Sequence, residues 1–199
     1  MELFRCLIGS QNYGLSDETS DKDYYVYHIP SFEDLYHNKL LVREEKTDEG
    51  ILFHKDIRSL SNMITKSSFN QLEVLFSVDK KTQCIPINLR WDFMYDFYDF
   101  LIYWRERIAR ANMNKLFAST CGEVKRRIND LQKGKYTAGT KHLFKQHGYD
   151  TKNAMHAVRL INLWNMLYNK IPLESAFTNR IFNIDYLAIK NGKYDLTTI

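Results

Sequence analysis

Cysteine is scarce in this chain, and its three copies are scattered. Cys6, Cys84 and Cys121 are odd in number, far apart and form no CxxC pair. That pattern predicts neither a zinc site nor a disulfide framework, and it suits a reducing cytoplasm. No run approaches the ~18 apolar residues of a membrane span, so no membrane partner is expected. The acidic Glu2, with no long apolar segment after it, argues against a signal peptide. Internal repeats and low-complexity tracts are also missing, which sets aside repeat arrays and disordered linkers.

What is present describes an ordinary globular protein. The chain has 199 residues, 44% of them hydrophobic and 26% charged. That is enough to bury a core in one domain or two small ones. Aromatics are abundant, with 13 Tyr and 12 Phe, either to fill that core or to stack on bases. Charge is unevenly spread. Residues 1–104 carry 11 Lys and Arg against 17 Asp and Glu, whereas residues 105–152 carry 12 against 4. The second region suits an anionic ligand such as a triphosphate or an RNA backbone, or it is a solvated helical surface.

The patterning predicts an α+β fold. Strands are expected at 2–8, 23–29, 40–44 and 51–54, with Pro30 ending the second. A turn at Asp48-Glu49-Gly50 would join the last two as a hairpin. Ser31 and Asp34 mark a short capped helix. The spacing of Ile57, Leu60, Met63 and Ile64 predicts a helix over 55–66, and a shorter one covers 71–76. A polar connector at 79–83 leads to Cys84-Ile85-Pro86-Ile87, where the domain seam is placed. The expected domains are an α+β core at 1–83 and a helical domain at 84–199. Helices are expected over 89–109, 112–133 with Gly134 as the stop, and 151–169 with Asp150 or Thr151 as N-cap.

One stretch carries the chemistry. Gly9-Ser10-Gln11-Asn12-Tyr13-Gly14-Leu15 follows the first strand directly, and Ser20-Asp21-Lys22-Asp23 opens the second. A Gly-Ser pair ending a strand leaves amide N–H groups free for phosphate, and Gly9 permits close approach. Ser10 adds a hydroxyl. Strand alternation puts the Asp21 and Asp23 carboxylates on one face, with Lys22 on the other. Such a pair repels itself unless a hard cation neutralises it. Asp56, closing the fourth strand, is the candidate third carboxylate, with Asp48 and Glu49 as weaker choices. The competing reading of Asp56 is a carboxylate opening a helix. Lys152, His156 and Arg159 are spaced four and three, so they share one helix face, while Met155, Val158, Ile161 and Trp164 lie on another, read as core.

The segment Gly9-Ser10-x-x-Tyr13-Gly14-Leu15 with Ser20-Asp21-x-Asp23 resembles the DNA polymerase β-like nucleotidyltransferase superfamily. More narrowly, it is similar to the predicted nucleotidyltransferases associated with RNA repair ligases. Gly148-Tyr149, Lys152, His156 and Arg159-Leu160 resemble the same family. Gln11 departs from the Arg often found there. The resemblance implies a nucleotidyltransferase-type mixed sheet followed by a helical C-terminal domain. It implies Mg²⁺-dependent transfer of a nucleoside monophosphate from an NTP, with two metal ions (or Mn²⁺) on Asp21, Asp23 and Asp56. Gly9, Ser10, Tyr13, Lys152, His156 and Arg159 would bind the nucleotide, the last three from across a cleft between the domains. The acceptor would be an RNA 3′ end, drawn by the basic region 105–152. The alternatives are an antitoxin-like enzyme that attaches AMP to a protein hydroxyl, and an inactive module that binds nucleotide or RNA.

Overall fold

The computed structural model describes residues 1–16, 20–77, 80–82, 92–177 and 184–198. The chain is α+β and divides into two compact units, Met1–Met113 and Asn114–Ile199.

The first unit is built on a mixed five-stranded sheet of order β3-β4-β2-β1-β5. Its strands are β1 (Glu2–Ile8), β2 (Asp23–His28), β3 (Val42–Lys46), β4 (Ile51–Asp56) and β5 (Lys80–Thr82). β1 is buried on both faces, with Leu3, Phe4, Cys6, Leu7 and Ile8 all in the core, as a central strand of apolar residues should be. It runs antiparallel to β2, with Ile8 opposite Asp23 and Cys6 opposite Tyr25. β4 pairs antiparallel with β3 and parallel with β2. The expected hairpin is present, but its outer strand lies two residues later than expected and is exposed throughout.

Two further expectations are corrected. The connector at 79–83 supplies an edge strand, because Lys80–Thr82 pairs with Phe4–Cys6 of β1. The helix expected over 55–66 becomes α2 (Ser59–Lys66), since residues 55 and 56 belong to the β4 ladder with Tyr27 and His28.

Helix α1 (Phe32–Tyr36) has the expected capping box, with the Asp34 amide donating to Ser31 Oγ at 3.1 Å and the Ser31 amide to Asp34 Oδ2 at 3.3 Å. Helix α3 (Phe69–Leu72) runs into a 3₁₀ segment, Glu73–Phe76, whose residues are all buried. That segment packs on β1 and on α4 (Asp92–Arg110), where Arg105 lies 5.6 Å from the Phe76 ring centroid. Helix α4 therefore belongs with the sheet, and the compact units divide after residue 113. The seam expected at 84–87 lies outside the described residues.

The second unit is helical: α5 (Met113–Gln132), α6 (Lys141–His147), α7 (Thr151–Tyr168), α8 (Leu173–Phe177) and α9 (Tyr186–Lys190). Gly134 follows α5 with φ +62°, a conformation that favours glycine. Asp150 caps α7 by accepting from the Asn153 amide at 2.9 Å. Helix α7 contacts α6, α8 and α9 and buries Ala154, Met155, Leu160, Leu163 and Leu167.

Candidate functional site

The Ile8–Asp23 pairing brings the end of β1 and the start of β2 to one end of the sheet. The turn after β1 is closed locally: the Leu15 amide donates to Ser10 O at 2.9 Å and the Tyr13 amide to Gly9 O at 3.3 Å. Gly9 and Gly14 hold φ of +74° and +65°. A Cβ on Gly9 would meet nothing within 4 Å, so glycine is required here by its backbone conformation rather than by crowding.

Glu73, which the sequence reading passed over, holds this turn. Its Oε2 accepts from the Gly9 amide at 3.3 Å and from the Tyr13 hydroxyl. Glu73 and Tyr13 are both buried. The expectation that the turn's amides are free for phosphate is thereby corrected at Gly9, whose N–H is spent on a carboxylate. The signal was present in the sequence: one Glu inside the apolar run Leu72-Glu73-Val74-Leu75-Phe76 is costly to bury without donors. Tyr25 lies on the Asp23 face of β2 by strand alternation. Its hydroxyl pKa is raised, first by burial and then by the Glu73 charge. Lys55 stands over the Tyr25 ring, 3.7 Å from its centroid. Its pKa is lowered, chiefly by burial.

Asp21 is exposed, just ahead of β2, and Asp23 is half-buried in the strand's first position. Asp23 Oδ1 accepts from the Ile51 amide at 3.0 Å. The Lys22 amide donates to Glu49 O at 2.7 Å, and Lys22 Nζ lies 3.4 Å from Glu49 Oε2. The hairpin tip is thus tied to the Asp-x-Asp stretch.

Asp56 is not brought to this end. It stands opposite His28, five residues along β2 from Asp23, roughly 16 Å at strand rise. Alternation also turns it to the other face. Its carboxylate is engaged by Arg58, with Nε to Oδ1 at 2.9 Å and Nη2 to Oδ2 at 2.7 Å. That guanidinium holds the Asp56 carboxyl below its ordinary pKa. The third-carboxylate assignment is corrected: Asp56 anchors Arg58, which also donates to Lys39 O. Among the described residues no group of three His, Cys, Asp or Glu side chains is gathered to hold a metal. Two carboxylates still fit Mg²⁺, which binds one or two protein carboxylates and completes its shell with phosphate oxygens and water.

In the second unit, Lys152 is exposed, His156 half-buried and Arg159 only 4% exposed. The stripe therefore runs from the surface into the unit. Of the residues expected to be core beside it, Met155 is buried and Trp164 meets Phe117 at 4.8 Å between centroids, but Ile161 is 43% exposed. Arg127 of α5 joins the stripe, with Nη1 donating to Asn153 Oδ1 at 2.7 Å. Its neighbour Arg126 turns away to Glu123 and Asp130. Burial lowers the His156 pKa well below its ordinary value, and Arg159, Arg127, Lys152 and Lys190 press it further. The imidazole is neutral at pH 7.

No family model matches the sequence, and no curated protein is detectably similar to it. Among the described residues no helix is long and apolar enough to cross a membrane.

Proposed function

We propose that this protein is a Mg²⁺-dependent nucleotidyltransferase of the DNA polymerase β-like kind, moving a nucleoside monophosphate from an NTP to an RNA 3′ end. One observation carries the reading. The β1 turn bearing Gly9 and Ser10 and the carboxylates of Asp21 and Asp23 meet at one sheet end through the Ile8–Asp23 register. In the reaction the acceptor hydroxyl attacks the α-phosphorus, a new P–O bond forms and pyrophosphate leaves. Asp21 and the Asp23 oxygen not given to Ile51 would hold the metal, which supplies charge neutralisation at the phosphates. Ser10, on the turn that Glu73 braces through the buried Tyr13 hydroxyl, orients the phosphate tail, and the expectation that Tyr13 itself binds the nucleotide is corrected.

A second reading has one observation in its favour. The Gly9 amide is taken by Glu73, which removes a phosphate donor and suits a module that binds nucleotide without turning it over. Incubation with each α-³²P-labelled NTP and Mg²⁺, followed by separation of RNA and protein, decides. Label is expected in RNA and is expected to vanish in Asp21→Asn and Asp23→Asn with thermal unfolding unchanged. Label in protein would assign the enzyme to AMP transfer onto side-chain hydroxyls, and absence of label in both fractions would favour the binding module.

A further inference from the structure

The two carboxylates of the candidate site are held in different ways. Asp23 opens β2, and its Oδ1 accepts from the Ile51 amide at 3.0 Å, so the side chain itself is fixed. Asp21 is exposed and precedes the strand, and its carboxylate is engaged by none of the described residues. Its place is set by its chain neighbours. On one side the Lys22 amide donates to Glu49 O at 2.7 Å. On the other the Gln11 side chain reaches over, and its Nε2 donates to Ser20 O at 3.0 Å.

Gln11 is itself firmly seated. Its carbonyl accepts from the Gly14 amide at 3.3 Å, inside the turn that the Leu15 amide closes on Ser10 O at 2.9 Å. The buried Glu73 holds that turn through the Gly9 amide and the Tyr13 hydroxyl. Hydrogen bonds joined by short stretches of chain therefore lead from Glu73 to Ser20, the residue before Asp21. The side chain is half-buried and uncharged. A carbonyl oxygen only accepts, so the group facing Ser20 O is the amide nitrogen, and the contact depends on that donor.

We propose that Gln11 is a positioning residue of the candidate site: by holding Ser20 it keeps the Asp21 carboxylate within reach of the cation that Asp23 binds. The metal role of Asp21 rests on the function proposed above, whereas the tie to Ser20 does not. Two carboxylates two residues apart repel each other. An exposed segment ahead of a strand relieves that repulsion by swinging away, which disperses the ligand set before a cation arrives. A tie on each side of Asp21 removes that freedom, as outer-shell hydrogen bonds do for metal ligands.

The test uses the full chain with Mn²⁺ alone as the probe, read by the EPR signal of the free ion, and backbone NMR order parameters alongside. Gln11→Met keeps the length of the side chain and removes the donor. It should lower the order parameters at Asp21 and Lys22, leave those of Tyr25 and Val26 at parental values, and weaken Mn²⁺ binding about tenfold, the lower end for an outer-shell partner. Gln11→Lys keeps an N–H donor of similar reach and should restore the order parameters. In an Asp21→Asn background, Gln11→Met should cost no further Mn²⁺ affinity, because Gln11 acts only through Asp21. Unchanged order at Asp21 in Gln11→Met, or an equal loss of affinity with and without the Asp21 carboxylate, would overturn the inference. So would loss of order throughout β2 with no recovery in Gln11→Lys. A parent that binds no Mn²⁺ would overturn it together with the metal role of both carboxylates. A parent that binds Mn²⁺ and shows these Gln11 effects, yet puts no label into RNA, would refute the nucleotidyltransferase reading alone.

Discussion

At the residue scale, two carboxylates change roles once their partners are known. Glu73 braces the phosphate-loop candidate by accepting from the Gly9 amide and the Tyr13 hydroxyl. Glu73→Ala leaves the buried Tyr13 hydroxyl and the half-buried Gly9 amide without that acceptor and should cost about 1–3 kcal/mol, most of it at Tyr13. Glu73→Gln keeps a carbonyl acceptor and should recover part of the loss. Urea denaturation of the two variants checks this, and equal stability of Ala variant and parent would refute the bracing role. Asp56 serves Arg58 rather than a metal. Asp56→Asn should therefore leave nucleotide transfer intact while lowering thermal stability. The pH dependence has a definite sign. The Asp56 carboxyl is depressed in the folded state by Arg58, so its contribution is complete above the unfolded value near ~4. It is lost as pH falls through the lower folded value. Melting curves of parent and variant should converge at acid pH, and a gap that stays constant from neutral pH down to about pH 2 would rule the ion pair out as its source.

At the element scale, the β3–β4 hairpin positions the Asp-x-Asp stretch from outside. Its tip touches the chain at Lys22, and Gly50 makes that contact possible. A Cβ there would lie 2.4 Å from the Lys22 carbonyl oxygen, far inside van der Waals distance, and the obstacle is backbone rather than a flexible side chain. Gly50→Ala must displace either the hairpin or residues 21–23. It should lower stability by about 1–3 kcal/mol as an overpacking change, and reduce transfer beyond what the stability loss explains. Kinetics measured well below the variant's melting point separate the two effects. A variant with parental kinetics there would show that the hairpin does not hold the carboxylates in place.

At the scale of the whole molecule, the catalytic candidate and the basic helical stripe belong to different compact units, Met1–Met113 and Asn114–Ile199. Helix α4 goes with the first because it packs on the buried 3₁₀ segment. A fragment of residues 1–113 should unfold cooperatively on heating, whereas residues 1–83 should melt broadly or not fold, having lost the cover over Phe76 and its neighbours. Circular dichroism melting of both fragments tests this, and equal cooperativity would return the seam to residue 84. The division also explains the charge asymmetry of the chain. The acidic stretch 1–104 supplies the carboxylates, and much of the basic excess falls on α5 and α6, near the start of α7.

Read alone, the sequence determined the features that close within a few residues. The Ser31–Asp34 capping box, Asp150 as the N-cap of α7 and Gly134 as the stop of α5 all appear where residue type demanded them, since their donors and acceptors lie within about one turn. The apolar β1 and the Gly9–Leu15 turn were legible for the same reason. Tertiary structure decided what depends on distant pairing. The insertion of β4 beside β2 sends Asp56 to the far end and opposite face of the sheet. The return of the chain through residues 69–76 delivers Glu73 to Gly9, and the contacts of α5 and α9 with α7 tie Arg127 to Asn153 and Lys190 to Thr151. A strand's period of two is the same whichever partner it meets, and one alternation cannot say which end of which neighbour a carboxylate will face. Those choices are made by long-range contacts between elements, whose free energy is shared across the whole unit and written in no single segment.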